Sequence, residues 1–149
     1  MPYAIGDLAS QLCDVAVAIL TADTTIRSLV GRTTRICVPQ KDVSSDGLLD
    51  LPVIVYHYAG DVEIGGTLDE RRAVMVWEVV TDGDDAQTKG YQIVAALRAA
   101  LTYNAFSARG LEAYVEGDRE LATIVTEDRE ETRGVALTQL RTTIYASAP

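Results

Sequence analysis

The stretch RRAVMVWEVVTDGDDAQTKGYQIVAALRAAL, Arg71–Leu101, decides the fold because its hydrophobic period changes once, at an acidic turn. From Arg72 to Thr81, successive side chains alternate between two faces, as they do along a strand. Beyond Asp82–Asp85, apolar residues recur every three to four positions, as along one side of a helix. The stretch therefore predicts a strand, a turn and a helix, with Trp77 as a core residue.

The chain before this unit begins with a second helical pattern. Apolar residues recur at helical spacing from Leu8 to Leu20, and Asp7 is placed to cap their first turn. A shorter helix is predicted to start at Asp23, as N-cap, and to stop at Gly31, which tolerates the left-handed conformation of a helix end. A short strand is predicted at Arg35–Val38.

The middle of the chain alternates polar and apolar segments. Pro39–Asp50 is rich in Asp and Ser and has no apolar period, which predicts a long loop. Val53–Tyr58 is β-branched and aromatic and predicts a strand. Gly60–Asp69 is predicted to be a turn or hairpin tip with two glycines at its centre.

The remainder predicts three strands, within Leu111–Gly117, Glu120–Asp128 and Gly134–Tyr145. The last strand has one face of core character and one that is partly polar. The element order α, β, β, β, α, β, β, β predicts an α+β fold. We expect an antiparallel or mixed β-sheet with two main helices packed on one face, in a single domain spanning residues 1–149.

Composition excludes several classes of function. The 149 residues include 22 acidic and 13 basic ones, a net charge of −9, whereas binding to a phosphate backbone calls for a basic surface. No apolar run approaches the roughly 18 residues of a membrane span, and the first residues lack the pattern of a secretory signal. We expect a soluble protein made in the cytoplasm.

Residues capable of chemistry are few and form no motif. Cys13 and Cys37 lie among apolar neighbours, which favours buried free thiols over a disulfide or a reactive pair. His57 is the only histidine, so there is no Cys/His zinc pattern, and a Cys–His dyad has no support in the spacing. The aspartates within Asp82–Asp85 could bind a divalent cation, but helix capping explains them more simply. We expect no enzyme activity, cofactor or metal.

Three fragments in order carry a resemblance: LTADTTIRSLVG at Leu20–Gly31, LPVIVY at Leu51–Tyr56 and RGVALTQLRTTIY at Arg133–Tyr145. Together with Arg71–Leu101, they make the chain similar to the phage tail-completion family, the tail terminator or head-to-tail joining proteins of long-tailed phages. The match covers most of the chain and rests on order and spacing, because each fragment alone is a hydrophobic pattern with a few turn residues. The Pro39–Asp50 loop is longer than the family's compact linker.

The resemblance implies a structural virion protein of the tail or neck, assembled in the host cytoplasm. It implies a homo-oligomeric ring, usually a hexamer, that caps the tail tube, ends tube growth and provides a docking face for the head connector or stopper protein. DNA would pass through the lumen without specific binding. A neighbouring neck component, such as a head-closure or stopper protein, is the alternative within this class. A small-ligand-binding α+β domain and an acid-pair hydrolase are the alternatives outside it.

The candidate interface or lumen residues lie in polar segments between the apolar elements. They are Ile64, Arg71, Arg72, Glu127, Asp128, Glu130, Glu131 and Arg133. Ile64 is an apolar residue in a polar tip, and the arginines could pair with acids across a subunit boundary or simply mark exposed strand ends. The acidic turn from Glu127 to Glu131 could approach the lumen or a ring neighbour, or be a solvated hairpin. The Pro39–Asp50 and Asp61–Asp69 segments could order on contact with a partner or be ordinary flexible connections.

Overall fold

The computed structural model of the chain describes residues 8–31, 36–39, 52–64, 67–120, 124–127 and 134–147. Its elements are α1 (Leu8–Ala22), α2 (Thr24–Val30), β1 (Val38–Pro39), β2 (Val53–Ile64), β3 (Thr67–Asp82), α3 (Ala86–Ala100), α4 (Tyr103–Ser107), β4 (Glu112–Glu120), β5 (Ile124–Glu127) and β6 (Gly134–Ser147). The predicted α+β class is confirmed, with α1 and α3 as the two main helices.

The described strands form one mixed sheet. Its order is β1-β2-β3-β6-β4, and β5 pairs with another part of β6. All pairs are antiparallel except the short contact of β1 with β2, which is parallel. The last strand in the chain, β6, therefore lies between β3 and β4, and it holds the two halves of the sheet together.

The helices cover one face of this sheet, and the core lies between the two layers. It contains, among others, Leu12, Leu20, Ile26, Met75, Trp77, Ile93, Leu97, Phe106, Leu140 and Ile144, all at most 1% exposed. Trp77 is a core residue, as predicted, and its indole nitrogen donates a hydrogen bond to Thr142 Oγ1 at 3.1 Å. The even-numbered residues of β6 from Ala136 to Ala146 face the helices, which confirms the predicted division of this strand into two faces.

The ends of α2 are as predicted. The Asp23 side chain accepts a hydrogen bond from the backbone nitrogen of Ile26 at 2.9 Å, and Gly31 closes the helix with φ 87°.

The start of α3 corrects the prediction. Asp85 holds the N-cap position but makes no side-chain capping bond. The Thr81 hydroxyl donates to the Ala86 carbonyl oxygen at 2.5 Å, which ties the first turn of α3 to the end of β3 without capping its N–H groups.

Helix α3 lies unusually close to the sheet at Gly90. A Cβ at this position would lie 2.6 Å from Thr138 Oγ1, well inside van der Waals contact. Both residues are buried. A glycine in the middle of a helix is therefore explained by the approach of α3 to β6.

The hairpin of β2 and β3 is longer than predicted. Much of Gly60–Asp69, predicted to be a turn, belongs to the two strands, whose pairing continues to Ile64 and Thr67. Backbone hydrogen bonds need no apolar side chains, so a polar segment can extend a ladder that an apolar one has started. A bulge beside Gly60, with φ 121°, absorbs the change in register.

Two further boundaries differ from the predictions. β1 is formed by Val38–Pro39 rather than by Arg35–Val38, and Arg35 lies outside the described residues. Helix α4 was not predicted, because five residues are too few to show a helical period. The Thr102 side chain caps it by accepting a bond from Ala105 N at 3.2 Å. The predicted cap Asp7 and nearly all of the Pro39–Asp50 loop also lie outside the described residues.

Candidate assembly interface

The sheet face opposite the helices, here called the outer face, carries a row of large side chains across four strands. The strand register aligns Val62 of β2, Arg72 of β3, Tyr145 of β6 and Tyr114 of β4. Val62 is 60% exposed and Tyr114 is 41% exposed. Large apolar and aromatic groups exposed along one row of a sheet face are typical of a contact surface for another molecule.

The two tyrosines of this row are in contact. The ring centroids of Tyr114 and Tyr145 lie 5.1 Å apart, with an angle of 31° between the planes. Partial burial and a hydrogen bond to Glu70 raise the pKa of Tyr145. Glu70 and Glu112 flank Ser147 in the adjoining row of the sheet. We define the outer-face patch as Val62, Arg72, Tyr114 and Tyr145 together with Glu70 and Glu112.

Arg72 is oriented by an ion pair within the chain. Its Nε and Nη2 lie 2.5 Å and 3.3 Å from the two carboxylate oxygens of Glu116. Glu116 lies two residues after Tyr114 and therefore on the same face, beside a bulge between Val115 and Gly117. The hydrogen bond from the guanidinium to this carboxylate raises the pKa of Arg72. An exposed pair of this kind adds little stability, so its main effect is to fix the direction of the arginine.

A shallow hollow of about 280 Å³ adjoins the patch at the β2 bulge. Its lining residues are Ala59, Gly60, Asp61, Val62, Arg72 and Val74. The hollow is mostly apolar, and Gly60 adopts a φ of 121° there with no neighbouring atom within 4 Å of a Cβ position. The hollow is thus the kind of depression that can accept one side chain of a partner.

The hairpin is tied to the core by a polar cluster on the helix side of the same region. Tyr58 donates a hydrogen bond to Asp61 Oδ2 at 2.5 Å, and Arg71 forms an ion pair with the other oxygen of this carboxylate. The hydrogen bonds from Tyr58 and Arg71 lower the pKa of Asp61. Burial and the contact with Asp61 raise the pKa of Tyr58. Because Tyr58 also packs against the core, the cluster holds the bulged part of β2 in place.

The structure brings only part of the predicted site together. Ile64 pairs with Thr67 at the end of β2, whereas Arg71 and Arg72 lie on opposite faces of β3. Both arginines pair with acids of their own chain, and a role across a subunit boundary stays a prediction. Glu127 is the last residue of β5 and lies opposite Gly134. The remaining predicted residues, Asp128, Glu130, Glu131 and Arg133, lie outside the described residues.

Sequence reasoning missed Val62, Tyr114 and Tyr145. Tyr114 and Tyr145 lie in predicted strands and Val62 lies between two acids of the predicted turn, so no shared pattern linked the three. The alignment of the three depends on a register between strands that are far apart in the chain, which no local pattern specifies.

Groups capable of chemistry do not converge in the described part of the chain. Cys37 is buried and Cys13 half-buried, both are free, and burial raises both thiol pKa values, that of Cys13 to about 11. His57 lies on the outer face, and its Nδ1 atom is buried without a hydrogen-bond partner. Among the described residues no group of three His, Cys, Asp or Glu could hold a metal ion. None of the described helices has the length and apolar character needed to cross a membrane.

Comparison with known proteins gives a match among solved structures. No family model matches the chain, and no curated protein matches it. Among solved structures, a chain from the "Virion of native gene transfer agent (GTA) particle" is similar, with a TM-score of 0.49 and 17% sequence identity. The alignment covers 90% of this chain and 94% of that chain. A similarity of this size does not identify a function.

Proposed function

We propose that this chain is a structural virion protein of a phage-like particle, with no catalytic activity. In this proposal it forms a ring, of six copies, on the last ring of the tail tube, where it ends tube growth and offers the docking face for the head connector. The ordered fragments that resemble the tail-completion family support the class, and the α+β fold is compatible with it.

The outer-face patch is the observation that carries the proposal. Its row of Val62, Arg72, Tyr145 and Tyr114 combines an exposed apolar group, an oriented arginine and two tyrosines in contact. Arginine and tyrosine are the residues that most often contribute strongly at protein interfaces. A protein that acts by assembly needs such a surface, whereas a ligand-binding domain or a hydrolase needs converging polar groups in a pocket.

The negative charge of the chain is compatible with a ring through which DNA passes. Six copies at −9 each would carry −54, and a negative channel wall repels duplex phosphates. In the proposal the acidic turn from Glu127 to Glu131 faces this lumen or the neighbouring subunit. DNA then slides through the ring without binding to it.

The proposal is tested by polymerising purified tube protein with and without this chain. We expect tubes of limited length with a ring at one end, seen by electron microscopy, and rings of defined mass by native mass spectrometry. Template-dependent assembly is included, because such a subunit can be monomeric in dilute solution. A chain that stays monomeric with tube protein at high concentration would contradict the proposal.

A second arm separates the terminator from a neighbouring neck protein. Rings that bind purified connector but neither bind tubes nor limit their length would indicate a stopper or head-closure role. For the lumen, replacing Glu127, Asp128, Glu130 and Glu131 by their amides should leave rings intact but slow DNA ejection from particles. Normal ejection from such particles would show that the acidic turn does not line the channel.

A further inference from the structure

The net negative charge of the described residues lies in the sheet. The described strands contain 11 acidic and four basic residues, a net charge of −7. Residues 8–31 and 84–110, which contain the helices and the turn before α3, have four acidic and four basic residues and are neutral. In the described part of a second copy neither layer is positive, so charge does not favour a second copy as the occupant of the outer-face patch.

Two acids at one side of the outer-face patch have no cation beside them. Glu70 and Glu112 lie on either side of Ser147, and neither forms an ion pair among the described residues. Neighbouring strands are about 4.8 Å apart, which places the Cα atoms of these two acids about 10 Å apart. Arg72 does not neutralise them, because its guanidinium is paired with Glu116. One lysine or arginine head group of a partner could therefore contact both carboxylates.

The hollow at the β2 bulge lies at the opposite side of the patch. It is mostly apolar, and its two charged lining residues, Asp61 and Arg72, are already in ion pairs. Val74, which lines the hollow, is four residues from Glu70 on β3, a distance of about 13 Å along the strand. The row of large side chains lies between them. Along the strands, the patch thus offers an apolar hollow, an apolar and aromatic centre and an acidic rim.

We propose that the outer-face patch binds a protein other than a copy of this chain, through an apolar side chain and a lysine or arginine of that partner. The inference rests on the proposed function, and it states the chemistry that the docking face recognises. The apolar side chain enters the hollow, and the cation lies between Glu70 and Glu112. The two sites are offset by about 13 Å along the strands and about 7 Å across them, so the two partner groups are about 15 Å apart.

Neutralising the rim tests the cation. Glu70→Gln combined with Glu112→Gln removes two charges and keeps the size of both side chains. Binding to purified tube protein and to purified connector is measured at low and at high salt. We expect the affinity for one of the two proteins to fall about tenfold at low salt, and to depend less on salt than it does for the original chain.

A matched control removes the same charge from the other layer. Asp14→Asn combined with Asp84→Asn changes two exposed acids, on α1 and in the turn before α3. Because these acids lie outside the patch, this variant should bind both proteins like the original chain. Equal losses of affinity in the control and in the rim variant would mean that only the total charge matters, which would overturn the inference.

Replacing a tyrosine tests the apolar centre. Tyr114→Thr removes an aromatic ring of the patch, and Tyr91→Thr removes one of similar exposure from α3, 44% against 41%. We expect the affinity of Tyr114→Thr to fall about tenfold at both salt concentrations, because an apolar contact is not screened, and that of Tyr91→Thr to stay unchanged. Thermal melting checks the fold. If Tyr114→Thr lowers the melting temperature, Val62→Thr takes its place, with a loss in the same direction.

Ring formation by the same variants separates the partner from a second copy. It is measured by imaging at tube protein concentrations well above the dissociation constant of each variant, and all variants should form rings. Patch variants that bind tube protein and connector normally but form no rings would assign the patch to a second copy and overturn the inference.

The remaining outcomes distinguish the inference from the proposed function. If the original chain forms rings but binds neither protein through the patch, so that patch variants and controls behave alike, the ring stands and the inference is wrong. If the original chain forms no rings even with tube protein, the proposed function fails. Salt-dependent binding to connector that is lost only in the patch variants would, in that case, still support the partner chemistry.

Discussion

Replacing Gly90 by alanine tests the close packing of α3 on the sheet. In the interior of an exposed helix this substitution stabilises by about 1 kcal/mol, because alanine has the higher helix propensity. Here the new methyl group would lie 2.6 Å from Thr138 Oγ1, an atom held on a buried strand. Overpacking of this kind costs about 1–3 kcal/mol. The clash should outweigh the propensity gain, with a net loss of about 1 kcal/mol and a fall in melting temperature of about 2–4 °C for a domain of this size.

A double-mutant cycle isolates the contact. Thr138→Ala removes the oxygen that the new methyl would meet, while the remaining neighbours, Thr138 Cβ and Thr81 Oγ1, lie at 3.6 Å, an ordinary contact distance. In that background Gly90→Ala should be stabilising by about 1 kcal/mol. The coupling energy is then about 2 kcal/mol, within the range for residues in direct contact. Urea unfolding of the four proteins, with an unchanged denaturant slope, provides the measurement.

Whether Gly90→Ala raises or lowers the stability tests the close contact between α3 and β6. A Gly90→Ala chain that is more stable than the original would show that α3 does not approach β6 this closely. The same holds if the substitution is equally harmful with and without the Thr138 hydroxyl. In that case the loss would come from the helix itself rather than from its contact with the sheet.

Three further substitutions probe the fold. Trp77→Phe removes the buried indole donor to Thr142 and leaves a cavity, and unfolding in urea should show a loss of about 2–4 kcal/mol. For Asp61→Asn, the free energy of unfolding should depend less on pH in the acid range than it does for the original chain. Folding lowers the pKa of Asp61 below its value of about 4 in the unfolded chain. The stabilisation that the ionised carboxylate provides is therefore present above that value, and it is lost as the pH falls through the pKa of the folded chain. Gly31→Ala should cost about 1 kcal/mol in thermal melting because of the positive φ, whereas Gly117→Ala, with open space and no positive φ, should be nearly neutral.

Each of these has a distinct contrary result. An unchanged stability of Trp77→Phe would place the indole outside the core. For Asp61, the measurement is stability between pH 2 and 5, and identical slopes in both proteins would mean that the carboxylate gains nothing from its two donors. Equal costs at Gly31 and Gly117 would argue against a left-handed residue at the end of α2.

Local features of the fold could be predicted from the sequence because their causes are local. The cap of α2 at Asp23 and its stop at Gly31 depend on atoms within a few residues. The alternation along β6 reflects the geometry of any strand, so its buried face follows from the pattern. The same locality explains the failures. α4 is too short for a period, and the extension of β2 beyond Tyr58 has no apolar pattern.

The candidate site could be predicted only in outline. The arginines at the start of β3 stood out as charges at a strand end, but their partners did not. Arg71 pairs with a residue ten positions away, and Arg72 with one 44 positions away. The bulges beside Gly60 and Gly117 decide which face their neighbours occupy, and the alternation rule fails at such points.

The sequence by itself determined the α+β class, the acidic charge, the absence of a recognisable catalytic motif and the positions of most strands and helices. These depend on composition and on periods of two or 3.6 residues, which any stretch carries with it. Only the tertiary structure decided that β6 lies between β3 and β4, and hence that Val62, Arg72, Tyr145 and Tyr114 form one row. Register and strand order are set by how the whole sheet packs against its helices, because that packing selects one pairing among many that the local patterns allow.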